Sequence, residues 1–171
     1  NIGPQRLKTL IKHLSKRKKK VKSVQVQFSL LAPDLSKQNK VKNICDENDI
    51  DFLAYSPLSF GILCIDPYKQ DEIETTILRN ALFKTYKNPT YELRRCLKNI
   101  ANKRSVSQAQ VAINWCCYQG AIPLVGMRKK SQVVDISNVF KWNLKKAEFD
   151  LIQEASRNCL KKLPNNPFSS I

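Results

Sequence analysis

The sequence predicts an α/β fold in which parallel strands alternate with helices and form part of a closed barrel. Three observations predict it. Two short apolar segments, Ile50 to Tyr55 and Ala121 to Val125, each stop in a polar, turn-forming tip: Ser56-Pro57-Leu58 and Gly126-Met127-Arg128. Helical sequence rather than a tight hairpin separates them, as parallel βα units require. Three strands are legible, and three parallel strands leave two unpaired edges, which a barrel abolishes by closing.

The elements follow in order. Leu7, Leu10, Ile11 and Leu14 recur at helical spacing and predict an amphipathic helix over 5–17, with Pro4 suited to its first turn. The β-branched alternation of Ser23 to Leu31 predicts a strand, ended by Pro33-Asp34. A helix over 36–48 carries Val41, Ile44 and Cys45 inward, and the strand Phe52 to Tyr55 follows. Residues 59–88 are irregular in pattern, with a short helix expected around Ile73 to Phe83. Leu93, Cys96, Leu97 and Ile100 share one face of a helix over 90–104. Ser107 caps a helix from Gln108 to Tyr118, which Gly120 terminates. The strand Ile122 to Val125, a helix from Ser131 to Phe140 and a helix from Lys145 to Cys159 complete the series. The domain is expected to span 1–160, with an irregular tail over 161–171.

Composition narrows the function classes. The 171 residues suffice for one domain, at 42% hydrophobic and 26% charged. No apolar run approaches the roughly 20 residues that cross a bilayer, so no membrane partner is expected. Six cysteines form no Cys-x-x-Cys pair, and with His13 the lone histidine there is no zinc ligand set. Reduced, mostly buried thiols are the expectation. A single histidine also argues against a Cys-His or Ser-His-Asp nucleophile. The net charge of +16 is concentrated in Arg6 to Lys22, which holds nine basic residues and no acid. Such a run can grip phosphates, yet it lacks interleaved aromatics, so a nucleic-acid partner is not expected.

The segments Gln25-Val26-Gln27-Phe28-Ser29-Leu30-Leu31, Tyr55-Ser56-Pro57-Leu58 and Gly126-Met127-Arg128 resemble those of the aldo-keto reductases. The resemblance covers Asn1 to about Leu160 and is nearest to bacterial and plastid-type members. It implies the C-terminal half of a (β/α)8 TIM barrel, with the present strands as the sixth, seventh and eighth. It also implies an NADPH-dependent enzyme that reduces aldehydes or ketones, with a small carbonyl compound as substrate. The first half of the barrel is expected to be a separate or missing part, and the location cytoplasmic or in the plastid stroma.

The resemblance assigns roles to eight residues. Asn1 and Gln25 would hydrogen-bond the nicotinamide carboxamide, which needs both a donor and an acceptor. Tyr55 would stack under the nicotinamide, and Ser56 and Leu58 belong to the loop that meets the pyrophosphate. Arg128 would hold the adenosine 2′-phosphate, a role suited to a planar guanidinium. Gln132 and Asp135 match the adenine side. On the residues alone, Tyr55 reads equally as a packing residue, Gln25 as a solvent-facing strand position and Arg128 as a surface cation.

Departures from the family pattern are expected to weaken the site. The pyrophosphate loop, usually Pro-Leu-Gly-x-Gly-Leu-Leu-Thr-Gly-Lys, reads Pro57-Leu58-Ser59-Phe60-Gly61-Ile62-Leu63-Cys64-Ile65-Asp66. Ser59 replaces a glycine, a second glycine and the lysine are gone, and Asp66 sets an acid near phosphate. Ile136 replaces an asparagine, and Lys145 stands where Ser or Thr usually caps the last helix, costing about 1 kcal/mol of stability. The family's catalytic aspartate, tyrosine, lysine and histidine have no counterparts at matching positions, so no catalytic residue is assigned. An inactive relic or binding subunit is the alternative reading, and a basic nucleic-acid-binding module a further one.

Overall fold

Three parallel strands, β1 (Ser23–Gln27), β2 (Asp51–Tyr55) and β3 (Ile122–Leu124), lie side by side in the order β1-β2-β3. In this computed structural model, residues 2–32, 35–69 and 76–164 are described. Among the described residues seven α-helices connect and cover the strands: α1 (Pro4–Ser15), α2 (Leu35–Glu47), α3 (Ile77–Lys87), α4 (Tyr91–Arg104), α5 (Gln108–Tyr118), α6 (Lys130–Ser137) and α7 (Lys146–Arg157). Among the described residues no helix is long and apolar enough to cross a membrane.

Strand periodicity divides the sheet into two unlike faces. Val24 and Val26 of β1 and Phe52 and Ala54 of β2, directly opposed in register, are buried in one core with Leu7, Val41, Leu97 and Val111 from the helices. Phe28 sits at the centre of this core, edge-on to Phe52 at 5.2 Å and stacked on Trp115 at 5.3 Å. The alternate positions face the other way. There Gln25 is exposed, Leu53 and Tyr55 are half-buried, and Ile122 and Leu124 keep 46% and 39% of their surface accessible. Pro123 has no amide hydrogen to donate, and it occupies an edge strand, where that is tolerated.

Most expected elements are present, with boundary shifts that have physical causes. The first strand stops at Gln27 rather than Leu31. Phe28 makes the last ladder bond, to the Tyr55 carbonyl at 3.2 Å, and Ala32 then turns back onto Ser29. The Leu30 and Leu31 carbonyls are taken by Ser156, Lys162 and Leu163 instead of by a neighbouring strand. The first helix begins at Pro4 and ends at Ser15, where the chain reverses through Lys18 in the left-handed region. The helix expected to reach Phe140 ends at Ser137, because the Ser137 and Asn138 side chains both bond the Val134 carbonyl. A single 3₁₀ turn, Val139–Lys141, follows. The last helix is shorter at both ends than expected.

The described residues of the irregular segment 59–88 are more ordered than the sequence pattern suggests. They contain a 3₁₀ stretch, Ser59–Cys64, and then α3, which runs to Lys87 rather than to Phe83. The expected start of that helix at Ile73, and Pro33-Asp34, lie outside the described residues. Arg94 of α4, 1% exposed, braces the segment by donating to the carbonyls of Ile65 and Lys87 and to Thr90 Oγ1. All six cysteines are free, but Cys45 and Cys116 alone are buried, and Cys64 is exposed.

Candidate functional site

Loops leaving the carboxyl ends of parallel strands diverge, and a crevice opens between them. Here a cleft of about 940 Å³ lies between the segment after β2 and the segment after β3, with α3 as its outer wall.

The β2 side is built from unusual backbone. Ser56, Ser59, Phe60 and Gly61 all have positive φ, at 52°, 51°, 59° and 95°. Three of the four carry a Cβ, so the turn stores strain of roughly 1 kcal/mol or more per such residue. Local bonds hold it: the Ser59 and Gly61 amides donate to the carbonyls of Ser56 and Leu58, each at 2.9 Å. Gln108 Nε2 reaches in from α5 to the Leu63 carbonyl at 2.7 Å. The Phe60 carbonyl accepts two bonds from Arg79, at 3.1 and 2.7 Å.

Two of the departures expected to weaken this loop are placed away from the cleft. Ser59 is fully buried, and its hydroxyl donates to Ser29 Oγ at 3.0 Å instead of filling the space a glycine would leave. Asp66 does not line the cleft. It pairs with Lys98 at 2.8 Å and accepts the Tyr68 amide at 3.0 Å. The hydrogen bond to Lys98 is the main reason its carboxyl titrates below the ordinary range.

The β3 side is simpler. Gln132 Oε1 accepts the amides of Arg128 and Lys129 at 2.8 and 3.1 Å, which closes the chain into the first turn of α6. A lysine side chain cannot accept a hydrogen bond, so Lys129 contributes no reciprocal cap. The Arg128 and Lys129 side chains are exposed and line the cleft. With Arg79 they make three cations, and among the described residues no carboxylate lines the cleft.

Of the eight residues singled out from the sequence, the cleft gathers four: Ser56, Leu58, Arg128 and Gln132. Tyr55 does not line the cleft itself; it is the half-buried strand partner of Leu124, which does. Gln25 is set one rung lower on the open face, opposite Leu53. Asp135 is not brought to the cleft: its two oxygens accept Ser107 Oγ at 2.6 Å and Gln110 Nε2 at 2.7 Å, tying α6 to α5. Asn1 lies outside the described residues. Sequence reasoning passed over Arg79, Lys129 and the constraint on Gly61. The available signal for Arg79 was its spacing, four residues before Phe83 on one helix face. The basic run is exposed throughout and lies on α1 and in the connection that enters β1. That connection meets the sheet at the end opposite the cleft. None of its nine cations makes an ion pair with a described acid. His13 is exposed on α1.

A parallel sheet backed by helices on one face, with a cationic cleft at its carboxyl ends, matches a known design. The chain belongs to the aldo/keto reductase family, whose model matches residues 1–157. It is 34% identical over 170 residues to the chloroplastic pyridoxal reductase of Arabidopsis thaliana, covering 99% of this chain and 46% of that one. It is 27% identical over 131 residues to an NADPH-dependent alpha-keto amide reductase of Saccharomyces cerevisiae, covering 76% and 35%. The chain thus spans less than half the length of these relatives. Among solved structures it is similar to the glycerol dehydrogenase of Gluconobacter oxydans, with a TM-score of 0.66 at 21% identity over 87% of this chain and 46% of that one. A thermostable aldo-keto reductase bound to epalrestat gives 0.63 at 18% identity, over 91% and 46%. These likenesses show the fold: an α/β chain forming part of the family's barrel.

Proposed function

We propose that this chain is the cofactor-binding portion of an NADPH-dependent reductase of aldehydes or ketones. One observation carries the reading: the cleft at the strand ends gathers three cations, free of any described carboxylate, beside apolar Leu124, the strand partner of the half-buried Tyr55. Its cations suit the phosphates of a dinucleotide, and the apolar positions Tyr55 and Leu124 suit a flat ring.

The nicotinamide, when bound, supplies the hydride for carbonyl reduction. The chain's own residues would bind and orient. Arg128 and Lys129 would face the 2′-phosphate, Ser56 and Leu58 the pyrophosphate, and Tyr55 and Gln25 the nicotinamide end. Gln132 would keep Arg128 in place through its amide. Asn1 keeps the carboxamide role that the family resemblance implies, whereas Asp135 is given none, since Ser107 and Gln110 hold its oxygens. Proton donation to the carbonyl oxygen is assigned to none of the described residues.

The test is calorimetric titration of the full chain with NADPH and NADH. Binding of NADPH in preference to NADH, with the preference lost in Arg128→Ala, supports the reading. Absence of binding by either nucleotide at millimolar concentration sinks it. Pyridoxal, for which the Arabidopsis relative is named, is the first aldehyde to assay in any preparation that turns over.

A further inference from the structure

We propose that Arg79 of α3 is the phosphate-side cation of the cleft, replacing the lysine that the β2 loop lacks and holding that loop in its bound shape. This rests on the cofactor reading above and assigns it a further residue.

The geometry separates two tasks on one guanidinium. Nε and Nη2 both donate to the Phe60 carbonyl, at 3.1 and 2.7 Å, fixing the crest of the strained turn. The remaining nitrogen, Nη1, has no acceptor among the described residues, and the side chain lines the cleft. The guanidinium also lies over the Phe83 ring at 5.5 Å, so it is held on two sides before any ligand arrives. A planar fork with one edge anchored leaves the other edge ready for an anion, with little rotamer entropy still to lose.

Charge points the same way. No described acid pairs with Arg79, and the nearby Asp66 is committed to Lys98. The guanidinium therefore lines the cleft with Arg128 and Lys129, with no described carboxylate among the lining residues. Gly61 records the same arrangement from the backbone side: a Cβ there would lie 2.7 Å from Arg79 Nη2. The single glycine retained in the loop is thus the position over which the arginine passes. Two cationic walls suit a ligand with two separated phosphate groups, and the wall beneath the β2 loop is the one that meets the pyrophosphate.

Calorimetric titration of the full chain with NADPH and NADH tests this, using Arg79→Gln, Arg79→Lys and Arg128→Gln, with a thermal melt of each. The pyrophosphate is common to both nucleotides, whereas the 2′-phosphate belongs to NADPH. Arg79→Gln, which can still donate to Phe60, should weaken both nucleotides alike by roughly tenfold or more, the scale of one charge-assisted hydrogen bond. Arg79→Lys should weaken both nucleotides, but less than Arg79→Gln, because the charge is kept while the fork on Phe60 is lost. Arg128→Gln should weaken NADPH alone. Parental binding in Arg79→Gln, or loss confined to NADPH, overturns the assignment. If Arg79→Gln fails to fold, Arg79→Lys decides, since parental binding of both nucleotides, or a loss confined to NADPH, in a folded lysine variant also overturns it. A parent that binds neither nucleotide removes the cofactor reading itself, a result distinct from an indifferent Arg79.

Discussion

Glu148 and Arg104 join the last helix to α4 through both carboxylate oxygens. Arg104 Nε donates to Oε1 at 2.8 Å and Nη2 to Oε2, while Oε2 also accepts the Lys145 amide at 2.8 Å. One side chain therefore caps α7 and clamps it to its neighbour. This explains why Lys145, which cannot accept a hydrogen bond, is tolerated where a Ser or Thr cap was expected. Arg104 also lies over the Trp142 ring at 5.0 Å, which fixes the other side of the pair.

The pair makes stability depend on acidity. The hydrogen bond to Arg104 holds the Glu148 carboxyl below its ordinary value of 4.5. A carboxyl depressed in the folded state contributes stability above its unfolded pKa and loses it as pH falls through the folded one. Thermal melts should therefore show a falling midpoint below about pH 4.5, with a shallower fall in Glu148→Gln. At neutral pH the same substitution should cost roughly 1 kcal/mol, since it keeps the cap but loses the charge. Parallel pH curves for the two proteins would contradict this.

Arg94 gives the largest stability prediction. Its three donors serve two carbonyls and a hydroxyl in the interior, so Arg94→Leu removes one donor from each, leaving the Ile65 carbonyl with only Gln108 Nε2 at 3.3 Å. A loss of about 3 kcal/mol is expected, read as a lower urea midpoint at an unchanged slope. An unchanged midpoint would mean that the loop after β2 does not depend on α4.

Gly61→Ala should be a local lesion. The left-handed φ and the contact with Arg79 Nη2 both oppose a methyl group, together costing roughly 1–2 kcal/mol. The melting midpoint should fall by a few degrees, while nucleotide titration should show a much larger proportional loss. If stability fell and affinity held, the turn would be a structural feature alone.

Gln132→Ala tests the β3 side. Its Oε1 is the acceptor for the Arg128 and Lys129 amides, so its loss frees the start of α6 at about 1 kcal/mol. Amide hydrogen exchange at Arg128 and Lys129 should accelerate, and NADPH should bind more weakly than NADH loses by comparison. Protection unchanged at both amides would show that another contact orders this segment.

Much of the frame was legible because periodicity and turn chemistry agree in it. The α5 limits, Gln108 to Tyr118, follow from a Ser107 cap and a terminal Gly120, and both devices are present. Strand ends were less legible, since Phe28 to Leu31 keep an apolar strand-like composition while the Leu30 and Leu31 carbonyls find their partners in α7 and the tail. The cleft was half legible. Ser56, Leu58, Arg128 and Gln132 sit beside strand ends and carry motif signals, whereas Arg79 reaches the cleft from a helix after an irregular stretch. No local pattern reports a partner nineteen residues away, which is the separation of Arg79 from Phe60. Asp135 shows the converse: its motif position is clear, but Ser107 and Gln110 hold its oxygens.

The open sheet face has a colloidal consequence. Wherever Leu53, Tyr55, Ile122 and Leu124 are uncovered, they offer a sticky apolar strip flanked by strand edges, the geometry that invites chain-to-chain association. The net charge of +16 opposes it, since copies of one chain repel each other over about a Debye length, near 8 Å at physiological ionic strength. Solubility is therefore a contest between a short-range attraction and a screened repulsion, and added salt shifts it toward clustering.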